Sequence, residues 1–167
     1  MKTLIVLRHA DAAEKTGGMS DLERPLSEEG RRQAGGQGAF LRQAGISMER
    51  VISSSALRAM DTAKAVLGAC NSGMEVESAQ ELYNAPAEAL LEYVRGLPDD
   101  FTSLLLIAHL PGVAQLLSLL TTEHVDLDLI YSPATLAAVQ FDAETWKEVD
   151  YGTGALTLFL PPILPLA

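Results

Sequence analysis

The chain has a single cysteine, Cys70, in 167 residues. No intrachain disulfide can form, and a zinc site built from thiolates is excluded. The residues before it, Val66-Leu67-Gly68-Ala69, suit a buried, inert thiol near a helix end. Histidine is nearly as scarce: there are three, His9, His109 and His124, and none has the i, i+4 spacing of a helical metal pair. His124, beside Glu123, reads as a solvated loop residue. Positive charge is in short supply too, with 12 Lys and Arg against 22 Asp and Glu and a net charge of −10. A chain this acidic lacks the basic footprint that nucleic acid requires. No apolar run approaches the roughly 18 residues of a membrane span. The start, one lysine and then a strand-like run, lacks the layout of a signal peptide. Together these absences predict a soluble, reduced, cytoplasmic protein that binds neither nucleic acid nor membrane. They also make any gathering of arginines informative, because the surrounding field expels anions.

Apolar residues make up 48% of the chain and charged residues 20%, a balance that favours a packed core over disorder. A chain of this length buries roughly two-thirds of its unfolded surface in one core. Strands and helices alternate along it. Strands are predicted at about 3–8, 50–53, 74–78 and 103–108, with a late pair at 135–141 and 145–149 and another at 155–160. Between the first two, residues 11–25 read as a loop, and Ser27 caps a helix that runs to Ala44 and ends at Gly45. The interior glycines of that helix, Gly35, Gly36 and Gly38, are expected to mark close packing on the sheet. Ser54 or Ser55 is expected to cap a helix to about Ala69. Pro86 opens a helix ending near Gly96, and Pro111 opens one ending near Thr122. The expected architecture is one α/β domain over residues 1–167, three layers with a mainly parallel sheet between helices on both faces. Its apolar, Pro-rich tail at 158–167 is expected to lie extended on the body or against a second subunit.

The polar residues then fall into place. The apolar run Thr3 to Leu7 stops on Arg8-His9, and about a hundred residues on, Ser103 to Ala108 stops on His109. Ser54 and Arg58 stand where the second strand passes into its helix. In a parallel sheet these junctions share one edge, the edge where open α/β folds collect their chemistry. A helix beginning after His109 adds backbone N–H donors there. A neutral imidazole is a nucleophile at pH 7. Toward phosphorus it forms a phosphohistidine, while Arg8 and Arg58 offer planar forks that match phosphate oxygens. The guanidinium groups should hold His9 neutral, and a bound dianion should draw His109 toward its charged form.

These residues carry a resemblance. Leu7-Arg8-His9-Ala10-Asp11-Ala12 resembles the Arg-His-Gly signature of the histidine phosphatase superfamily, which also contains the cofactor-dependent phosphoglycerate mutases. Further matching pieces are Arg24-Pro25-Leu26-Ser27 with Gly30, Ser54-Ser55-Ala56-Leu57-Arg58 with Thr62-Ala63, Glu81-Leu82, and Ala108-His109-Leu110-Pro111. In this order they look like the small SixA-type phosphohistidine phosphatase branch, over residues 4 to about 142. The resemblance implies a phosphoglycerate mutase-like fold without a cap domain and without a metal or organic cofactor. It implies His9 as the nucleophile that becomes phosphorylated, with Arg8, Arg58 and His109 as the rest of the phosphate pocket.

Two positions depart from the pattern. Ala10 stands where the family has glycine, placing a methyl group near the pocket. Asn84 stands where larger members carry a glutamate acid, and an amide cannot protonate an alkoxide leaving group. Imidazole leaves a P–N bond without a strong acid, so the departure favours phosphohistidine or aryl phosphates over alkyl phosphates. Glu81, Asp11 and Asp21 are the carboxylates that could substitute, Glu81 being otherwise a surface or supporting group. Arg24 reads equally as a loop salt bridge or a pocket-rim residue, and Ser54 as a helix cap or a phosphate ligand. Three functions stay open. The first is a phosphatase acting on a phosphorylated protein, such as a histidine-phosphotransfer domain. The second is a phosphatase for a small phosphorylated metabolite. The third is a non-catalytic phosphate-binding module, against which an intact nucleophile speaks.

Overall fold

In the computed structural model, residues 1–121 and 131–162 are described. Six strands form one sheet: β1 (Lys2–Arg8), β2 (Arg50–Ser54), β3 (Glu77–Ala79), β4 (Ser103–Ala108), β5 (Leu136–Phe141) and β6 (Gly154–Leu160). Their order is β3-β2-β4-β1-β5-β6. The first four run parallel, and β5 pairs antiparallel with both β1 and β6. Helices α1 (Glu28–Gln43), α2 (Leu57–Ala69), α3 (Ala87–Arg95) and α4 (Gly112–Leu120) complete the chain order.

The strand sequences are apolar without alternation because both faces of the sheet are covered. Ile5, Leu7, Val51, Leu105 and Ile107 face one core, packed under α1 and α2 with Ala34, Leu41, Ala59, Ala63 and Val66. Their neighbours Leu4, Val6, Ile52, Leu104 and Leu106 face the other, with Leu90, Leu91, Val94, Val113 and Leu117 of α3 and α4. This is the expected three-layer α/β arrangement. No helix among the described residues is long and apolar enough to cross a membrane.

Helix α1 begins as its sequence indicates. Ser27 is extended and its hydroxyl accepts from the Gly30 amide at 2.9 Å, while Glu28 and Glu29 meet the positive end of the helix dipole. Gly45 follows in the left-handed region at φ +67°. The close packing inside α1 lies elsewhere than expected. A Cβ on Gly38 would stand 2.3 Å from the Val66 carbonyl oxygen and 2.8 Å from the Ala69 Cβ, so the glycine lets α1 approach α2 and not the sheet; Gly35 faces open space.

Other elements differ from the sequence reading. The third strand is displaced to 77–79, with 74–76 outside it. Neither Ser54 nor Ser55 caps α2, whose N-cap is Ala56 with no side-chain hydrogen bond. Residues 145–149 are not a strand: Trp146–Glu148 form a single 3₁₀ turn. Trp146 and Val149 both enter the α3/α4 core, and a spacing of three is what a 3₁₀ turn, not a strand, puts on one side. The partner of β5 is β6, which takes up residues 158–160 of the tail. The helix expected to end near Thr122 ends at Leu120 with Thr121 as its C-cap, and His124 and residues 163–167 lie outside the described residues.

The α1–α2 contact yields a test. Gly38→Val should destabilise the fold by about 2 kcal/mol through overpacking against backbone, read as a lower urea midpoint. An unchanged midpoint would show that the helices separate freely.

Candidate active site

The site follows from strand register. In the parallel pair β1–β4, Arg8 is level with Ala108, so His9 and His109 leave adjacent strands side by side. Their ring centroids are 5.0 Å apart, close to the roughly 4.8 Å that separates neighbouring strands. Strand β2 lies against the other edge of β4, with Ser53 level with Ile107, and so delivers Ser54 beside His109. In the first turn of α2, Arg58 reaches both rings. The four residues on which the resemblance rests therefore converge. They line a pocket of about 250 Å³ together with Asp11, Ala12, Arg24, Asn84, Leu110 and Pro133.

The tautomer of His9 is fixed by its neighbour. Its Nδ1 lies 2.8 Å from the Ala10 carbonyl oxygen, which only accepts, so Nδ1 carries the proton and Nε2 the lone pair. Nε2 faces Arg58 Nε at 3.4 Å. Burial, followed by the charges of Arg58, Arg8 and Arg24, lowers the His9 pKa to about 4, although the Ala10 hydrogen bond opposes the shift. The ring is thus neutral at pH 7, in the state expected of it. Burial also lowers the Arg8 pKa, although nearby Asp11 opposes this, and Arg8 donates to the Tyr131 carbonyl at 2.7 Å.

His109 is held neutral as well. Burial and the neighbouring His9 and Arg58 lower it to about 3, with Asp21 opposing. The charged form expected with a bound dianion is therefore not the resting form. Its Nδ1 faces the Arg58 Nη2 donor at 3.4 Å, leaving Nε2–H to donate to Ser54 Oγ at 2.7 Å. Ser54 is fully buried and is not among the pocket-lining residues. Its hydroxyl orients the second histidine, which is neither of the roles the sequence suggested.

The loop at 11–25 contributes more than the sequence indicated. The Asp21 carbonyl accepts from Arg58 Nη1 at 2.7 Å, and its carboxylate accepts from Arg58 Nη2 at 3.0 Å and the Tyr83 hydroxyl at 2.7 Å. The Tyr83 hydrogen bond is the largest cause that lowers Asp21 to about 2, so this carboxylate stays ionised and is a poor acid. Arg24 fills both of its expected roles, bonding Asp21 at 3.4 Å and Ala13 O at 3.2 Å while lining the pocket. Glu81 is exposed on the 3₁₀ turn Gln80–Leu82 and does not line the pocket. The structure thus separates the candidate acid from the other site residues. Asn84 is at the rim in a left-handed conformation, φ +49°.

Ala10 is tolerated for a simple reason. Its methyl group is buried in the α1/α2 core with Leu26, Ala34 and Ala59, away from the pocket, and its φ is not positive. Its amide donates to Thr62 Oγ1 at 2.9 Å, and that hydroxyl donates to the Arg58 carbonyl at 2.7 Å, tying the segments that carry His9 and Arg58 together.

Tyr83, Tyr131 and the Pro133–Ala134 segment were missed by sequence reasoning. Tyr83 had one faint signal, its place beside Glu81-Leu82. The segment before β5 had none, because only the antiparallel entry of β5 brings it to this edge. There Ala134, at φ +61°, donates to the His9 carbonyl and accepts from the Gln37 side chain at 2.7 Å.

Two outcomes follow. Ser54→Ala leaves a buried N–H without a partner, and should lower kcat about 10-fold or more at a loss of about 1–3 kcal/mol, with KM little changed; wild-type kcat would refute the positioning role. The second concerns acid stability. In the unfolded chain both histidines titrate near 6.5, against about 4 and 3 when folded. Below pH 6.5 the unfolded state takes up protons that the folded state refuses. Stability should be complete above that pH and decline toward pH 4, followed by a further loss as Asp21 protonates between its usual 3.8 and about 2. Urea midpoints measured from pH 7.5 to 2 check this; a flat profile would contradict it.

Comparison with known proteins agrees with this geometry. Residues 4–86 match the family model of the histidine phosphatase superfamily, branch 1. An uncharacterized protein of Mycobacterium tuberculosis is 30% identical over 164 residues, covering 93% of this chain and 99% of its own. Among solved structures, a protein of Agrobacterium tumefaciens provisionally named phosphohistidine phosphatase SixA superposes with a TM-score of 0.82 at 26% identity, over 96% of this chain and 98% of that one. The protein histidine phosphatase SixA complexed with tungstate gives 0.80 at 26% identity, over 96% and 97%. With the Arg8-His9, Arg58 and His109 constellation in one pocket, the chain belongs to the histidine phosphatase superfamily and is similar in fold to its SixA-type members.

Proposed function

We propose that this protein is a phosphatase for phosphohistidine on a protein surface, acting through a phosphorylated His9. The observation that carries the reading is a small pocket, uncapped among the described residues, holding a neutral His9 and three arginines, with an amide where a leaving-group acid would stand. About 250 Å³ is less than the roughly 300–1,000 Å³ of a typical small-molecule site. It suits a phosphoryl group and the imidazole that bears it, with the rest of the substrate outside. The SixA protein that binds tungstate, a tetrahedral oxyanion, supports the same reading.

The chemistry needs little beyond positioning and charge. Arg8, Arg24 and Arg58 hold the phosphoryl oxygens, and His109 adds a donor once the dianion draws a proton onto Nδ1. Nε2 of His9 attacks phosphorus, and the substrate P–N bond breaks with its electron pair going to the departing imidazole. Because Nδ1 keeps its proton, the product is a phosphoimidazolium whose positive charge the Ala10 carbonyl stabilises. That charge also makes His9 a good leaving group when water attacks. Asn84 donates no proton, which is harmless for an imidazole leaving group. For an alkoxide it forfeits acid catalysis worth roughly 10²–10⁴ in rate.

Trapping tests the proposal. A phosphohistidine protein labelled with radioactive phosphate, mixed with enzyme and quenched in alkaline detergent that preserves P–N bonds, should transfer label to the chain. His9→Ala should abolish the transfer and lower turnover by at least about 10³-fold. Sugar and serine phosphates should be hydrolysed far more slowly than phosphohistidine. Faster turnover of the sugar phosphates would favour the small-molecule reading, and phosphate binding without turnover of any substrate would favour a binding module.

A further inference from the structure

We infer that Asp11 is the general base of the second half-reaction, its carboxylate taking the proton of the water that attacks phosphorylated His9. The inference rests on the proposed phosphoenzyme. Asp11 is the only acidic residue among the described residues that line the pocket. It stands two positions after the nucleophile and is clamped at three points. Its amide donates to Gln33 Oε1 at 3.0 Å, its carbonyl accepts from the Ser27 amide at 3.0 Å, and its Oδ2 accepts from the Ser27 hydroxyl at 2.5 Å. Gly30 makes this close fit possible, since a Cβ there would lie 2.0 Å from the Asp11 carbonyl oxygen. The other oxygen, Oδ1, accepts no hydrogen bond from the described residues, and the carboxylate forms no ion pair with them.

An acidic residue lining a dianion pocket repels the ligand, so anion binding alone does not account for it. Water activation does. The other candidates are out of place: Asp21 is occupied by Arg58, Tyr83 and Arg24, and Glu81 is exposed away from the pocket. Both histidines are also committed, His9 being phosphorylated and His109 facing Arg58 and Ser54. In the step itself the water oxygen forms a bond to phosphorus. The P–Nε2 bond breaks with its electron pair returning to Nε2, and the water proton passes to Oδ1. Inorganic phosphate departs and Asp11 releases the proton to solvent. The first half-reaction expels an imidazole without acid help, so it does not use Asp11.

Asp11→Asn keeps an acceptor for the Ser27 hydroxyl and removes the base. With the labelled phosphohistidine protein and the alkaline quench, this variant should form phosphoenzyme at least as fast as the wild type and lose it about 10²-fold more slowly, so that label accumulates on His9. In Asp11→Ala, added formate should restore part of the decay rate. Decay at the wild-type rate overturns the inference while leaving the phosphoenzyme reading intact. Equal slowing of formation and decay, with no response to formate, also overturns it, because that pattern marks a structural role. Absence of label on His9 in wild type and variants alike overturns both.

Discussion

Parallel pairing of β1 with β4 is the constraint on which the site depends. Because Arg8 is level with Ala108, the residues that follow them emerge one strand spacing apart, and two histidines distant in sequence become a facing pair. The pairing is specified by burial on both faces: a one-residue slip would exchange the residues that face α1 and α2 for those that face α3 and α4. Ser54 and Arg58 inherit their places from the same register through β2.

Placement at the strand ends also sets the electrostatics. Both imidazoles are removed from water among guanidinium groups, and each is neutral for that reason. Their roles diverge through hydrogen bonds. A backbone carbonyl holds the His9 proton on Nδ1 and leaves the Nε2 lone pair free, whereas a serine hydroxyl holds the His109 proton on Nε2 and leaves Nδ1 toward Arg58. Arg58 is fixed in turn from behind, by Asp21 and through it Tyr83. The loop at 11–25 is therefore part of the machinery, carrying the anchor of one arginine, a second arginine at the rim and a carboxylate in the wall.

Much of this was legible without coordinates. Apolar runs ending on Arg8-His9 and His109 announced buried parallel strands with chemistry at their carboxyl ends, and Ser27 with Glu28 and Glu29 announced α1. Less legible were contacts that depend on what approaches from another element. Gly38 was read as facing the sheet, but its missing side chain admits α2. The Trp146 segment resembled a strand because periods of two and three are hard to separate over five residues. Ser54 resembled a cap because serine before a helix usually is one, and only the neighbouring imidazole claims its hydroxyl.

By itself the sequence determined the α/β alternation, the strand-end arginine and histidines and the amide at Asn84, since these follow from residue type and spacing. Tertiary structure alone decided the tautomers of both histidines, the separation of Glu81 from the pocket, the capture of Arg58 by Asp21 and the place of Asp11 in the wall. The physical reason is that hydrogen-bond direction and desolvation are set by atoms contributed from other strands and loops, and a linear chain does not reveal which of them arrive.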